Sequence, residues 1–193
     1  MIRINKLIEK ARLLFRLSAV RSGKSSVTSK KSFERAKVAP TFVDRIIELV
    51  VAALMMITII LSVYFYFHLP EKIPTHFNLD FEPNAFASKN SILFVLILMI
   101  VVIFTMWLST MFPSLVNLPV KKNPEKEIAQ QRIACRLCHV LAIWIVLLFL
   151  IIILSMSSSL LGVEYSVWKY PTIFCVIGLI GTIVYYSIKI RRI

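Results

Sequence analysis

Four apolar runs constrain this chain more than any other feature: residues 46–67, 91–112, 140–161 and 171–188 are nearly uninterrupted stretches of aliphatic and aromatic side chains. A helix needs about 20 such residues to cross roughly 30 Å of hydrocarbon, because lipid offers no partner to an open backbone group. The first three runs are 22 residues long and the fourth is 18. Four of them in 193 residues leave too little polar chain to cover them as core helices, and the mean hydropathy of +0.79 agrees. The predicted fold is all-α, an integral membrane bundle of four transmembrane helices whose solvent is the lipid bilayer. Pro171 opens the fourth run at the one helical position that tolerates proline.

The formal net charge of +13 raises the question of nucleic acid, and its distribution answers it. Twelve basic residues, from Arg3 to Arg45, precede the first run. Lys121, Lys122, Lys126, Arg132 and Arg136 lie between the second and third, and Lys189, Arg191 and Arg192 close the chain. The two alternate loops carry only Lys72, Lys89 and Lys169. This positive-inside pattern predicts an N-in/C-in bundle with both termini and the middle loop in the cytoplasm, and it accounts for the charge with no nucleic-acid partner.

The organisation follows. Residues 1–20 place Ile4, Leu7, Ile8, Ala11 and Leu14 on one stripe of a basic amphipathic helix, read either as an anchor on the anionic leaflet or as a tail that fixes topology. Residues 21–45 form a Ser/Lys-rich cytoplasmic linker. A membrane domain covers 46–136, with helices 46–67 and 91–112, an outer loop 68–90 and a cytoplasmic segment 113–138 that is expected to be helical from 125 to 138. A second helical hairpin, with helices 140–161 and 171–188, completes residues 139–193. Cys135, Cys138 and Cys175 give no disulfide framework, and the lone CRLC pair lacks a second ligand pair for zinc.

The outer loop, HLPEKIPTHFNLDFEPNAFASKN, is the most distinctive stretch. Pro70 and Pro74 end the first helix and hold the chain extended. Phe77, Phe81 and Phe86 recur along an otherwise polar sequence and are expected to pack the loop onto the membrane surface or the helix ends. Lys89 is a cation at a helix N-terminus, where the dipole disfavours it, so a carboxylate partner is expected, with Asp80 and Glu82 as candidates.

Leu69-Pro70, Ile73-Pro74 and His76-Phe77-Asn78, followed after nine residues by Ser88-Lys89, resemble a bacterial family of domains of unknown function that also forms the front part of SdpI-type immunity proteins. Pro113, the run Asn117-Leu118-Pro119-Val120, Glu125 and Gln131-Arg132 resemble its longer members, so that the resemblance covers about residues 46–136. Members commonly carry one glycine shortly after HFN and another before the final SK, where this chain has Phe81 and Ala87; Phe86 stands where tryptophan is common. If those glycines shape a tight turn with positive φ, this loop is expected to turn differently, because a bulky side chain is disfavoured there. The resemblance implies an outer-loop site of Leu69, Pro70, Ile73, Pro74, His76, Phe77, Asn78, Ser88 and Lys89. It also implies a cytoplasmic motif of Pro113, Asn117, Pro119, Val120 and Arg132, and a place in the bacterial cytoplasmic (inner) membrane. The roles it implies are immunity against a secreted toxic peptide and signalling through a repressor held at the membrane.

Chemistry is sparse. His68, Glu71, His76, Asp80 and Glu82 offer metal donors within fifteen residues, but prolines break any helical face and no spacing matches an i, i+4 pair on one helix. No metal, cofactor or catalytic residue is assigned, since no nucleophile elbow or glycine-rich phosphate loop appears. The spans hold no ionisable group in their middle, which argues against a carrier; Ser155, Ser157, Ser158, Ser159, Gly178 and Gly181 suit close helix contact. The leading expectation is a non-enzymatic multi-pass protein recognising a peptide or protein, such as a toxin, or a lipid at its outer face, alone or as a homo-oligomer. The alternatives are a metal-dependent membrane enzyme using His76 and the nearby carboxylates, and an assembly subunit of a membrane complex.

Overall fold

The computed structural model describes residues 40–112 and 126–192. The amphipathic segment 1–20, linker residues 21–39, and Pro113, Asn117, Pro119 and Val120 lie outside the described residues. In chain order the elements are α1 (Phe42–His68), β1 (Lys72–Phe77), β2 (Pro83–Ser88), α2 (Asn90–Met111) and α3 (Glu127–Met156), then a single turn α4 (Ser158–Leu161), a 3-10 turn (Tyr165–Trp168) and α5 (Lys169–Arg191).

Among the described residues, α1, α2, α3 and the stretch Tyr165–Arg191 are long and apolar enough to cross a membrane. In the most apolar window of each, only 11–22% of residues are buried, so most of the aliphatic surface points outward. Large side chains such as Ile60, Phe94, Phe104 and Ile177 are exposed along it. Such a surface needs hydrocarbon around it. The chain is a multi-pass membrane protein with a helical-bundle fold.

Local chemistry sets the helix ends. Thr41 caps α1 through a reciprocal box in which its hydroxyl accepts from Asp44 N–H and the Asp44 carboxylate accepts from Thr41 N–H. This cap starts the helix at Phe42, four residues before the apolar run. Leu69, extended ahead of Pro70, ends it. In α3 the predicted cytoplasmic helix and the third span are one continuous rod of 30 residues, about 45 Å long. It ends at Met156, where Ser157 leaves the helix, so residues 158–161 form a separate turn rather than the last turn of the span. Gly162 closes that turn in the left-handed conformation (φ 65°). Lys189 and Arg191 stand in the last turn of α5, where cations complement the helix dipole.

Helix α3 is the hub, packing against α1, α2 and α5, whereas α1 and α2 meet over a shorter stretch. Three apolar clusters hold the bundle: Val51, Leu96, Met99, Ile103, Ala142 and Val146 in the middle, Phe65, Leu69, Ile73, Ile92, Ile153 and Met156 at the hairpin end, and Ile133, Tyr186 and Ile190 at the opposite end. Thr58 and Ser62 are buried in α1 without penalty because each hydroxyl donates to the carbonyl one turn back, Leu54 O at 2.8 Å and Thr58 O at 2.6 Å. Where α3 meets α5, Gly178 leaves room for the Trp144 ring, whose Nε1–H donates to Thr182 Oγ1 at 2.9 Å. Gly181 meets nothing within 4 Å, so the close contact expected of both glycines belongs to Gly178 alone.

Candidate functional site

The loop between α1 and α2 carries a secondary structure that the helical reading did not anticipate, an antiparallel β-hairpin of β1 and β2. Lys72 pairs with Ser88, Ile73 with Ala87 and Pro74 with Phe86. The register then shifts around His76, which faces Ala85, leaving Thr75 and Asn84 as extra residues. The signal was present but weak: prolines head or interrupt both strands, and proline is confined to strand starts, edges and bulges.

The family-like residues divide by what they touch. Leu69 and Ile73 are anchors, 4% and 0% exposed, driven into the cluster formed by Phe65, Ile92, Ile153 and Met156. Phe77 packs against the same cluster and lies 5.7 Å, ring to ring, from Tyr165. Asn78 organises the turn: its Oδ1 accepts from Asp80 N–H and Glu82 N–H, both at 2.9 Å, while its backbone carbonyl accepts from Phe81 N–H at 3.0 Å. Asparagine is suited to such a turn because its side chain copies a backbone carbonyl. His76 is exposed on β1 and its Nδ1 is paired with Asn84 Oδ1. Ser88 Oγ accepts from Asn90 N–H at the start of α2.

Three expectations are corrected. The loop does make a left-handed turn, with Phe81 itself at φ 63°. Its ring stacks on Phe77 at 6.1 Å, a contact that offsets part of the strain. The partner of Lys89 is Glu71, 2.9 Å away, with the Tyr66 ring 5.5 Å from the ammonium. Asp80 instead takes Lys169 at 3.1 Å, tying the hairpin to the start of α5, and Glu82 accepts from the Asn78 amide. Finally, Phe86 does not pack on the helix ends; it is 60% exposed, as Leu79 is at 92%.

Beside the turn an open groove of about 480 Å³ runs between Phe81, Glu82 and Pro83 on one wall and Ser159, Gly162 and Glu164 on the other. The Trp168 indole, donating to Ser158 Oγ at 2.6 Å, braces the second wall. Among the described residues, no three His, Cys, Asp or Glu side chains converge as metal ligands.

The opposite end holds charged contacts that the sequence reading did not pair. Arg136 Nε donates to Asp44 Oδ1 and Arg136 Nη2 to Thr41 Oγ1, both at 2.8 Å, joining α3 to the cap of α1. One turn further in, His139 Nε2 lies 3.1 Å from Glu48 Oε1. Cys135 Sγ points at the Thr110 carbonyl at 3.8 Å, and Arg132 is exposed on α3. The signal that could have found these pairs was the spacing of Asp44 and Glu48, and of Arg136 and His139, each about one helical turn apart on its own helix.

No curated protein and no solved structure matches the chain. A family model matches residues 53–111, from within α1 through the hairpin to the end of α2, and its description is Domain of unknown function (DUF1648). The matched span contains every outer-loop motif residue and stops short of Pro113 to Arg132. In this helix–hairpin–helix unit the chain is similar to the DUF1648 family.

Proposed function

We propose that this multi-pass protein recognises a peptide segment bearing a basic residue at its hairpin end, which the distribution of lysines and arginines directs to the outer face. The observation that carries this reading is the groove between the hairpin turn and residues 158–166, with Glu82 and Glu164 on its two walls and neither in an ion pair among the described residues. Ser158, Ser159 and Ser166 share the rest of the lining with Phe81, Pro83, Val163 and Tyr165, which offers an extended chain both hydrogen bonds and apolar contact. The hairpin is fit to hold one wall still, since Leu69 and Ile73 seat it in the bundle and Lys169 ties its turn to α5. Exposed Leu79 and Phe86 supply apolar contacts on either side of the turn. Immunity against a secreted peptide, or signalling set off by one, is the physiological setting we assign to this surface, on the resemblance of its motifs to the front domain of SdpI-type proteins.

The test is a photoreactive phenylalanine analogue placed at Ser159, on the groove wall, and at Phe94, on the outward face of α2. A discrete peptide adduct from position 159 alone, lost in a Glu82→Gln/Glu164→Gln variant, is the expected result. Equal adducts from both positions, or none from 159, would overturn the reading.

A further inference from the structure

We propose that the cavity between α1, α2 and α3 is a binding site for a membrane-soluble amine, an ammonium on an apolar body, held by Glu48 and His139. The cavity measures about 410 Å³. That falls in the range of roughly 300–1,000 Å³ typical of small-molecule sites. Its lining is almost wholly apolar, with Val51, Met55, Ile103 and Ala142 among the wall residues.

The polar groups that break this lining point to the ligand. His139 is more than nine-tenths buried, yet neither ring nitrogen has a hydrogen-bond partner among the described residues. The Glu48 carboxylate is 3.1 Å from Nε2 but out of line for a hydrogen bond. A buried donor or acceptor left open is costly, and one facing a cavity marks where a ligand atom belongs. The neighbouring Arg136 and Asp44 satisfy each other and do not line the cavity.

The sign of charge selects the occupant. Among the described residues, Glu48 is the single carboxylate on the wall, and no lysine or arginine lines it. An ammonium can donate one N–H to Glu48 and another to the ring nitrogen that carries no hydrogen in neutral imidazole. Phe104 and Trp107, half exposed on the α2 wall, add ring faces that attract a cation. An anion would meet Glu48 as a like charge, and a plain hydrocarbon would leave the buried His139 ring without a hydrogen bond.

The experiment uses the full chain in lipid nanodiscs, titrated calorimetrically with 1-aminoadamantane against empty nanodiscs, with adamantane-1-carboxylate and adamantan-1-ol as isosteric controls. Saturable one-to-one binding of the amine is expected, weakened about tenfold or more in Glu48→Gln. Ala52→Trp, which fills the cavity from an exposed position on α1, should abolish it. Each variant is first required to match the wild-type melting profile, and if Glu48→Gln fails that requirement Ala52→Trp decides alone. Absence of saturable amine binding, binding undiminished in the variants, or equal binding of the carboxylate or the alcohol overturns the proposal.

Discussion

Arg136 and Asp44, 92 residues apart in sequence, meet at 2.8 Å where α3 crosses the first turn of α1, and the same guanidinium reaches the Thr41 hydroxyl that caps that helix. One side chain therefore secures both the cap and the helix pair. Asp44 is 4% exposed, so its charge depends on this arrangement.

Removing one partner should leave the other charge uncompensated. Arg136→Met is expected to destabilise the protein by about 2–3 kcal/mol, below the range for a fully buried pair because Arg136 keeps some exposure. Asp44→Asn should cost a similar amount, and the double variant less than the sum of the two. Urea unfolding in a fixed detergent checks this; simple additivity would mean that the pair does not couple.

The hairpin should be held by Ile73. Ile73→Ala empties a fully buried position and is expected to cost about 2–4 kcal/mol. Leu79→Ala, at a position 92% exposed, should stay within about 0.5 kcal/mol. Proteolysis of the hairpin in intact nanodiscs should rise for the first variant and not for the second, and the reverse order would show that the hairpin is seated elsewhere.

Phe81 adopts a conformation suited to glycine. Phe81→Ala removes the ring and keeps the Cβ strain, whereas Phe81→Gly removes both. The glycine variant should therefore be more stable than the alanine variant by about 1 kcal/mol, measured as the difference in unfolding free energy. Equal stabilities would place no strain at this turn.

A methyl group at Gly178 would come within 2.5 Å of the Trp144 ring, so Gly178→Ala should force α3 and α5 apart. A loss of about 1–3 kcal/mol is expected. Gly181→Ala, facing open space, should be neutral or stabilising by up to about 1 kcal/mol. Melting temperatures of the two variants, side by side, test this asymmetry, and similar shifts in both would count against it.

Much of the architecture was legible without coordinates. Hydrocarbon selects on length and polarity alone, so the runs at 46–67, 91–112, 140–161 and 171–188 announce four spans whatever their neighbours are. The helix boundaries nevertheless moved, because the Thr41 cap and the break at Ser157 rest on hydroxyl and backbone geometry that hydropathy does not register. The outer-loop motif was visible as a pattern, but not as a hairpin: its prolines argue against strands, and only docking of Leu69 and Ile73 into the bundle holds those strands in place.

What the amino-acid sequence determined by itself, then, was the number of apolar rods and the order of the segments between them, since each follows from composition over a local window. Tertiary structure alone decided that Lys89 faces Glu71, that Asp80 faces Lys169, and that Glu48 and His139 share a cavity wall. The physical reason is rotational. An apolar helix is stable in lipid at any rotation about its axis, and the faces that meet are fixed by packing between segments far apart in the chain.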